Sequence, residues 1–357
     1  MHLHFDISSC VRATSKSSEC TKCVDICPVS TIKFVDNIPA FTPSECINCG
    51  GCVGVCPTNS FSFANFSTID FFFNFIESKK TDLICQVDMP CLSIFSVEEL
   101  ISLALASEET LTLYAKSCQC GGQNNTLSKQ IEANIEEANY ILSSFSTKQL
   151  LNKKLEEEIE AEEKNLDRRS FFSLKTALKS KKTFENVVSS DELKAFSLDE
   201  ESIVKLKDKK VPDSRKLLYS LFKRQTPPQK FEVLSSEDVS FISQKKIDES
   251  CTNCQICYRI CPSGALSSNA KFSVINFDAM LCLKCNLCHD VCETNSIHIT
   301  QGFNTKEFFQ PSKKQLTTFD VRRCDECGNH FTYTGGEVMC KRCQIEEDEA
   351  LTLQGVK

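Results

Sequence analysis

The sequence predicts an α+β chain that is built from several small modules rather than around one large core. Its 357 residues exceed the usual size of a single domain. Its hydrophobic fraction of 41% includes 24 cysteines, so fewer apolar side chains are available for a core than this figure implies. The cysteines stand in tight groups, which indicates that bound metal replaces part of the missing core.

The same cysteines bear on the redox compartment. The first thirty residues contain no apolar stretch followed by a small-residue cleavage site, so we expect the chain to stay in the reducing cytosol. Clustered cysteines there bind metal rather than form disulfides. The longest apolar runs, residues 71–73 and 100–106, are too short to cross a membrane. We therefore expect a cytoplasmic protein without a membrane span.

Three cysteine ladders share the spacing Cys-x2-Cys-x2-Cys-x3-Cys. They are formed by Cys46, Cys49, Cys52 and Cys56, by Cys251, Cys254, Cys257 and Cys261, and by Cys282, Cys285, Cys288 and Cys292. Two-residue gaps let one tight loop place three thiolates around a cubic iron–sulfur core, while the fourth thiolate reaches a neighbouring cluster. The spacing is highly specific for 4Fe-4S clusters.

The paired ladders resemble bacterial-type two-cluster ferredoxins, with one unit in residues 1–64 and a second in residues 245–300. The resemblance implies a short strand after each ladder, in residues 31–34, 60–63, 265–267 and 296–300. Residues 38–41 and 272–277, each of which precedes a second ladder, are predicted as the complementary strands.

The resemblance also implies that the fourth cysteine of each ladder binds the neighbouring cluster. In the second unit, one cluster then takes Cys251, Cys254, Cys257 and Cys292, and the other takes Cys261, Cys282, Cys285 and Cys288. Glu293 replaces the usual proline after the last ladder, which removes a fixed backbone angle but no ligand.

The first ladder is incomplete. It contains Cys20, Cys23 and Cys27, and Ser17 stands where the leading cysteine is expected. Three explanations stay open, namely an upstream ligand from Cys10, a 3Fe-4S cluster, or ligation by Ser17. Relatives that place this cysteine before a longer loop favour Cys10. The two clusters of the first unit would then be held by Cys10, Cys20, Cys23 and Cys56, and by Cys27, Cys46, Cys49 and Cys52.

Between the two units, a small βαβ module is predicted. Residues 83–86 and 110–114 are its parallel strands, and a capping-box signature at Ser96 and Glu99 begins the helix over residues 96–106. Four cysteines follow the two strands and are expected at one edge of the sheet: Cys85, Cys91, Cys118 and Cys120. The pattern resembles the iron–sulfur delta subunit of methyl-viologen-reducing hydrogenases. An additional metal site, buried structural thiols and a dithiol redox pair stay open as alternatives.

Two C-terminal cysteine knuckles are separated by twelve residues, and they consist of Cys324, Cys327, Cys340 and Cys343. With strands predicted in residues 331–334 and 337–339, they indicate a zinc ribbon, in which the metal replaces a core. Rubredoxin-like iron is the alternative, but Gln344 stands where such knuckles carry glycine. We do not expect nucleic-acid binding, because Asp325, Glu326 and an acidic tail offset the nearby basic residues.

Residues 126–235 contain no cysteine and are rich in lysine, glutamate and serine. Leu151, Leu155 and Ile159 recur every four residues, which predicts a surface helix with a narrow apolar stripe. The predicted organisation has five segments: a two-cluster ferredoxin unit in 1–66, the βαβ module in 67–125, a charged helical insert and linker in 126–235, a second two-cluster unit in 236–310, and the zinc ribbon in 318–346.

These features predict a multi-cluster iron–sulfur electron carrier with four 4Fe-4S clusters and one zinc ion. The sequence contains no nucleophile–base pair, phosphate loop or dinucleotide fingerprint, so we do not expect an independent enzyme. The expected partner is a redox enzyme subunit, such as a formate dehydrogenase or a hydrogenase, or another electron carrier. Two other functions stay open: an assembly factor for a metalloenzyme, and an iron–sulfur sensor with a nucleic-acid-binding ribbon.

Overall fold

The computed structural model describes residues 2–115, 125–154 and 209–353. We name four packed units by position: the N-terminal unit (2–66), the central unit (67–115 and 125–154), the C-terminal unit (233–319) and the knuckle unit (321–353). Mixed helices and small sheets make up these units, as the predicted α+β class requires.

Two small antiparallel sheets and three one-turn helices form the N-terminal unit. Strand β1 (Leu3–Phe5) pairs with β4 (Phe61–Phe63), and β2 (Ile32–Val35) pairs with β3 (Ile38–Phe41). The short helices α1 (Val11–Thr14), α2 (Lys22–Asp25) and α3 (Gly51–Gly54) lie beside the cysteine ladders. All three strands predicted around these ladders are observed within one residue of their predicted ends.

The central unit contains a parallel sheet of three strands in the order β5 (Asp82–Ile84), β6 (Leu111–Ala115) and β7 (Leu150–Lys154). Its helices are α4 (Thr68–Ser78), α5 (Val97–Ala106) and α6 (Thr126–Ser143). The parallel pairing of β5 with β6 and the helix between them agree with the sequence-based expectation. The capping box of Ser96 and Glu99 is also present.

Strand β7 corrects the prediction of a surface helix through Leu151. Leu150 is buried, residues 151–153 are exposed, and all five residues of β7 pair with β6 in parallel register. The edge of β6 offers unpaired backbone groups, and β7 satisfies them along five residues. Leu155 and Ile159 lie outside the described residues. Helix α6 and strand β7 therefore complete the central sheet, although the sequence places them in the charged insert.

Helix α7 (Asp213–Phe222) connects the central unit with the C-terminal unit. It packs against α5, where Arg215 forms a buried ion pair with Glu98. At its other end, the ring of Phe222 stacks on Phe308 with 4.5 Å between centroids. Polar and aromatic contacts thus hold the same helix on both units.

The C-terminal unit repeats the arrangement of the N-terminal unit. Its strands are β8 (Val233–Ser235), β9 (Lys245–Ile247), β10 (Leu266–Ser267), β11 (Val274–Asp278), β12 (Ile297–Ile299), β13 (Gly302–Asn304) and β14 (Lys313–Thr318), and its one-turn helices are α8 (Ile256–Ile260), α9 (Leu287–Asp290) and α10 (Lys306–Phe309). Strand β9 pairs with β12, which corresponds to the pairing of β1 with β4 in the N-terminal unit. Strand β10 pairs with β11, which corresponds to the pairing of β2 with β3. The strands predicted after the ladders are again observed.

The knuckle unit contains a hairpin of β15 (Val321–Arg323) and β16 (His330–Thr332), followed by helix α11 (Lys341–Leu353). The strand predicted in residues 337–339 is wrong. The carbonyl oxygen of Val338 accepts a hydrogen bond from Asp325 N at 2.9 Å, so this backbone supports the first knuckle instead of a strand. Gly335 and Gly336 both have positive φ and turn the chain away from β16.

Candidate metal centres

Four thiols of the N-terminal unit line one small cavity, and we call them site A: Cys10, Cys20, Cys23 and Cys56. Cys10 is only 7% exposed, whereas Ser17 is exposed and does not line the cavity. Burial, with added repulsion from Cys56, Cys20 and Cys10, raises the pKa of Cys23 to about 12. The structure therefore brings Cys10, and not Ser17, to the place of the missing ladder cysteine.

Local hydrogen bonds explain how Cys10 reaches this place. The Asp6 carboxylate accepts a bond from Ser8 N at 3.0 Å and caps the turn that ends at Cys10. Arg12 donates to the Cys20 carbonyl oxygen and to Asn37 Oδ1, so it holds the loop against the β2–β3 turn. The loop between residues 10 and 20 is thus folded back by side chains at both of its ends.

The second group of the N-terminal unit is site B, which lines another small cavity and consists of Cys27, Cys46, Cys49 and Cys52. Leu3 forms part of the same wall. Burial raises the pKa of Cys49 to about 11 and raises that of Cys52 as well. A Cβ at Gly54 would lie 2.3 Å from the Ser93 carbonyl oxygen, so glycine is needed where the central unit packs on this loop.

The corresponding group of the C-terminal unit is site C, which lines a small cavity and consists of Cys261, Cys282, Cys285 and Cys288. Lys245 and Lys284 line this cavity too. Burial raises the pKa of Cys288 to about 12, and the positive charge of Lys245 opposes that rise. The Ser243 hydroxyl lies 3.3 Å from Cys282 Sγ. Sequence analysis missed Lys245 and Ser243, which an alignment of the two repeated units would have placed beside the ladder.

Site D is the last predicted ferredoxin-type group and comprises Cys251, Cys254, Cys257 and Cys292. Burial, with repulsion from Cys288, Cys254 and Cys251, raises the pKa of Cys257 to about 12. Cys292 Sγ contacts Ser296 Oγ at 3.3 Å, four residues downstream. Cys56 Sγ accepts a hydrogen bond from Ser60 N with the same sequence spacing, so Cys292 and Cys56 stand in equivalent surroundings. Cys254 is exposed, which places this group at the protein surface.

The knuckle site consists of Cys324, Cys327, Cys340 and Cys343, whose sulfur atoms all lie within 4.8 Å of one another. In the described part of the chain, no other group of His, Cys, Asp or Glu side chains approaches this closely around one point. Backbone N–H groups of Cys327 and Cys340 lower the pKa of Cys324 to about 6. Four sulfurs this close suit a single metal ion.

The predicted additional site is described only in part. Cys85 and Cys91 are buried in contact, and a hydrogen bond from the Cys85 thiol lowers the pKa of Cys91 to about 6. The Ser93 hydroxyl lies 3.3 Å from Cys91 Sγ and 3.4 Å from the Cys49 carbonyl oxygen, so the pair adjoins site B. Cys118 and Cys120 lie outside the described residues, so their predicted convergence stays a prediction.

The two ladder units are in direct contact. Glu19 N, next to Cys20 of site A, donates a hydrogen bond to Asp290 Oδ2 at 3.1 Å. Asp290 lies between the last cysteines of sites C and D in the sequence. A cleft between the two units is lined by Cys56 from one unit and by Leu283 from the other. Sites from both units therefore belong to one packed body.

Comparison with known families agrees with this geometry. The 4Fe-4S dicluster domain family matches residues 17–60, and the 4Fe-4S binding domain family matches residues 245–267. The chain contains two ferredoxin-type 4Fe-4S domains. The first match begins at Ser17, so the placement of Cys10 comes from the structure and not from the family. Comparison with curated proteins and with solved structures gives no significant match.

The ferredoxin-type domains support an iron–sulfur electron carrier role, and the knuckle site offers a further four-thiol metal site. No helix within the described residues is both long and apolar enough to span a bilayer.

Proposed function

We propose that the chain is a cytoplasmic electron carrier that passes single electrons between a redox enzyme and another carrier. It would hold four 4Fe-4S clusters, one at each of sites A to D, and one zinc ion at the knuckle site. The observation that carries this proposal is the grouping of the thiols. At sites B and C, three cysteines of one ladder and one cysteine of the partner ladder line the same cavity. At site A, Cys10 completes the group that two cysteines of the first ladder form with Cys56.

The residues at these cavities fit a 4Fe-4S cluster in both number and chemistry. Each cavity offers four sulfur ligands, and buried thiols with raised pKa values need a cation beside them to remain thiolates. When bound, such a cluster takes up and releases one electron. The chain's own side chains exclude water from the ligands, as the burial of Cys23, Cys52 and Cys288 indicates.

The contact between Glu19 and Asp290 supports a role for the chain as one carrier rather than two tethered ones. It joins the loop before Cys20 to the helix before Cys292, so the ligand loops of two units lie side by side. Cys254 at the surface offers an exposed ligand through which a partner can exchange electrons.

Charge indicates the kind of partner. Four clusters with four thiolates each and a tetrathiolate zinc would take the formal charge from -7 to roughly -17. A partner with a basic docking surface suits such a protein best, and a formate dehydrogenase or a hydrogenase is the proposed type of enzyme. We propose no substrate chemistry for this chain itself.

The test uses the full chain, purified without oxygen. We expect about sixteen iron atoms and about one zinc atom per chain, and reversible reduction by roughly four electrons. Rapid mixing of the reduced protein with oxidised viologen should then show fast one-electron exchange. Loaded clusters that exchange electrons slowly would contradict the carrier role.

Two alternative outcomes of the same preparation separate the other candidate functions. Stoichiometric capture of an immature metalloenzyme would favour an assembly factor. Salt-dependent binding of DNA would favour a sensor with a nucleic-acid-binding knuckle unit. The proposed carrier should show neither.

A further inference from the structure

Sites B and C occupy equivalent positions in the two repeated units, and the strand register extends this equivalence to the residues around them. In the N-terminal unit, Leu3 pairs with Phe63, seven residues after Cys56. In the C-terminal unit, Lys245 pairs with Ile299, seven residues after Cys292. Leu3 and Lys245 therefore stand at the same place of the repeat.

Both of these residues face a candidate cluster. Leu3 lines the cavity of site B, and Lys245 lines the cavity of site C. A second difference lies inside the ladders, where Asn48 precedes Cys49 and Lys284 precedes Cys285. One cavity thus has an apolar side chain where its counterpart has an ammonium group.

The charge of Lys245 is buried and is not cancelled by its hydrogen-bond partner. The residue is 6% exposed, and its Nζ lies 2.7 Å from His289 Nε2. An imidazole carries no negative charge whether it is neutral or protonated, so His289 does not cancel the charge of Lys245. Water screens this ammonium less than it screens a surface lysine.

Two other cations near site C, Arg215 and Lys284, have carboxylates beside them. Arg215 donates to the Cys282 carbonyl oxygen but is paired with Glu98. Lys284 donates to two backbone carbonyl oxygens, and the carboxylate of Glu137 interacts with its charge. Lys245 is a buried cation at site C whose counterpart at site B is the apolar Leu3.

We propose that Lys245 raises the reduction potential of the 4Fe-4S cluster at site C above that of the cluster at site B. Reduction adds one negative charge to a cluster, and a positive charge held close to it in a buried site stabilises that charge. An electron shared between sites B and C would then rest preferentially at site C. The inference rests on the proposed cluster occupancy, and it gives the carrier a direction from the N-terminal unit to the C-terminal unit.

The test is a redox titration of the anaerobically loaded full chain, followed by electron paramagnetic resonance. Dithionite supplies one electron to each cluster through mediators, and no bond forms or breaks. Lys245→Leu, which copies the N-terminal unit, should move one midpoint to lower potential. At a fixed solution potential, the reduced-to-oxidised ratio of that cluster should fall on the order of tenfold.

Two further variants make the result specific. Lys246→Leu removes the same charge from the next, exposed residue of β9, and it should leave every midpoint unchanged. Leu3→Lys introduces the charge at site B and should raise a midpoint different from the one that Lys245→Leu lowers. If Lys245→Leu loses iron, the midpoint potentials of loaded Leu3→Lys test the proposal by themselves.

The outcomes separate this inference from the proposed function. Clusters that are present and reducible, with midpoints equal in Lys245→Leu and Lys246→Leu, would overturn the inference and leave the carrier role intact. An unchanged set of midpoints in loaded Leu3→Lys would overturn it too. Wild-type protein that binds no iron would refute the proposed function instead.

Discussion

Arg215 and Cys282 are joined by a hydrogen bond of 2.7 Å between Nη1 of the guanidinium and the carbonyl oxygen of the cysteine. The same nitrogen donates to the Met280 carbonyl oxygen at 2.6 Å, and the guanidinium also forms the buried ion pair with Glu98. One charge therefore connects a helix of the central unit with a ligand loop of site C. Because both partners are removed from water, loss of either one leaves the other unpaired.

Arg215→Met should lower the free energy of unfolding by about 3–5 kcal/mol, because the Glu98 carboxylate loses its cation and three carbonyl oxygens lose their donor. The double variant Arg215→Met with Glu98→Leu should be less destabilised, since no unpaired charge stays buried. Anaerobic urea unfolding of the loaded protein measures both. Arg224→Met removes an exposed arginine of the same segment and should have little effect. Equal losses in the single and double variants would show that the ion pair is not the source of the effect.

Cys10→Ala should convert one four-iron cluster into a three-iron cluster, because site A would keep only three thiolates. Electron paramagnetic resonance of the oxidised protein detects the three-iron form. Ser17→Ala is the matched control and should leave the spectrum of the wild type unchanged, since Ser17 is exposed and lies off the cavity. A three-iron signal in carefully anaerobic wild-type protein that Cys10→Ala does not alter would show that Cys10 is no ligand.

Cys340→Ser should abolish zinc binding and unfold the knuckle unit, whose core is the proposed metal site. Metal analysis should show the iron content unchanged, and hydrogen exchange should rise only in residues 321–353. The contact between Asn253 Nδ2 and Thr332 Oγ1, at 2.9 Å, makes this a strict test, because Asn253 lies beside Cys254 of site D. Iron lost in parallel with zinc would mean that the knuckle unit supports site D.

Glu99→Gln should stabilise the central unit near neutral pH, and the gain should shrink as the pH falls. Burial raises the pKa of Glu99 in the folded chain above its ordinary value, so the folded state holds its proton more tightly than the unfolded state does. The ionised carboxylate therefore costs stability above the folded pKa, and this cost disappears as the pH drops through it. A neutral amide still has an oxygen that can accept the bonds from Ser96.

Melting temperatures of the wild type and of Glu99→Gln, measured without oxygen between pH 8 and pH 5, check this expectation. Glu108→Gln is the control, because its side chain is largely exposed and its substitution should give no pH-dependent difference. A constant gap between Glu99→Gln and the wild type across this range would contradict the assignment of the effect to the Glu99 proton.

Much of the local structure could be predicted because its causes are local. The strands that flank the ladders, the start of α5 at Ser96 and the two knuckles all follow from spacings of a few residues. The strand at Leu150–Lys154 could not be predicted in this way. Its sequence is compatible with a helix, and only the open edge of β6, about forty residues earlier in the chain, selects a strand.

By itself, the sequence determined which cysteines can act together, because a ladder brings its first three thiols to one tight loop whatever surrounds it. The tertiary structure decided what reaches each group from outside the loop. It placed Cys10 rather than Ser17 at site A. It also placed Lys245 at the wall of site C, at the position that Leu3 occupies at site B. Both placements depend on chain reversal and on strand pairing between distant segments. Burial of Lys245 then makes the field of its charge strong enough to distinguish two otherwise equivalent sites.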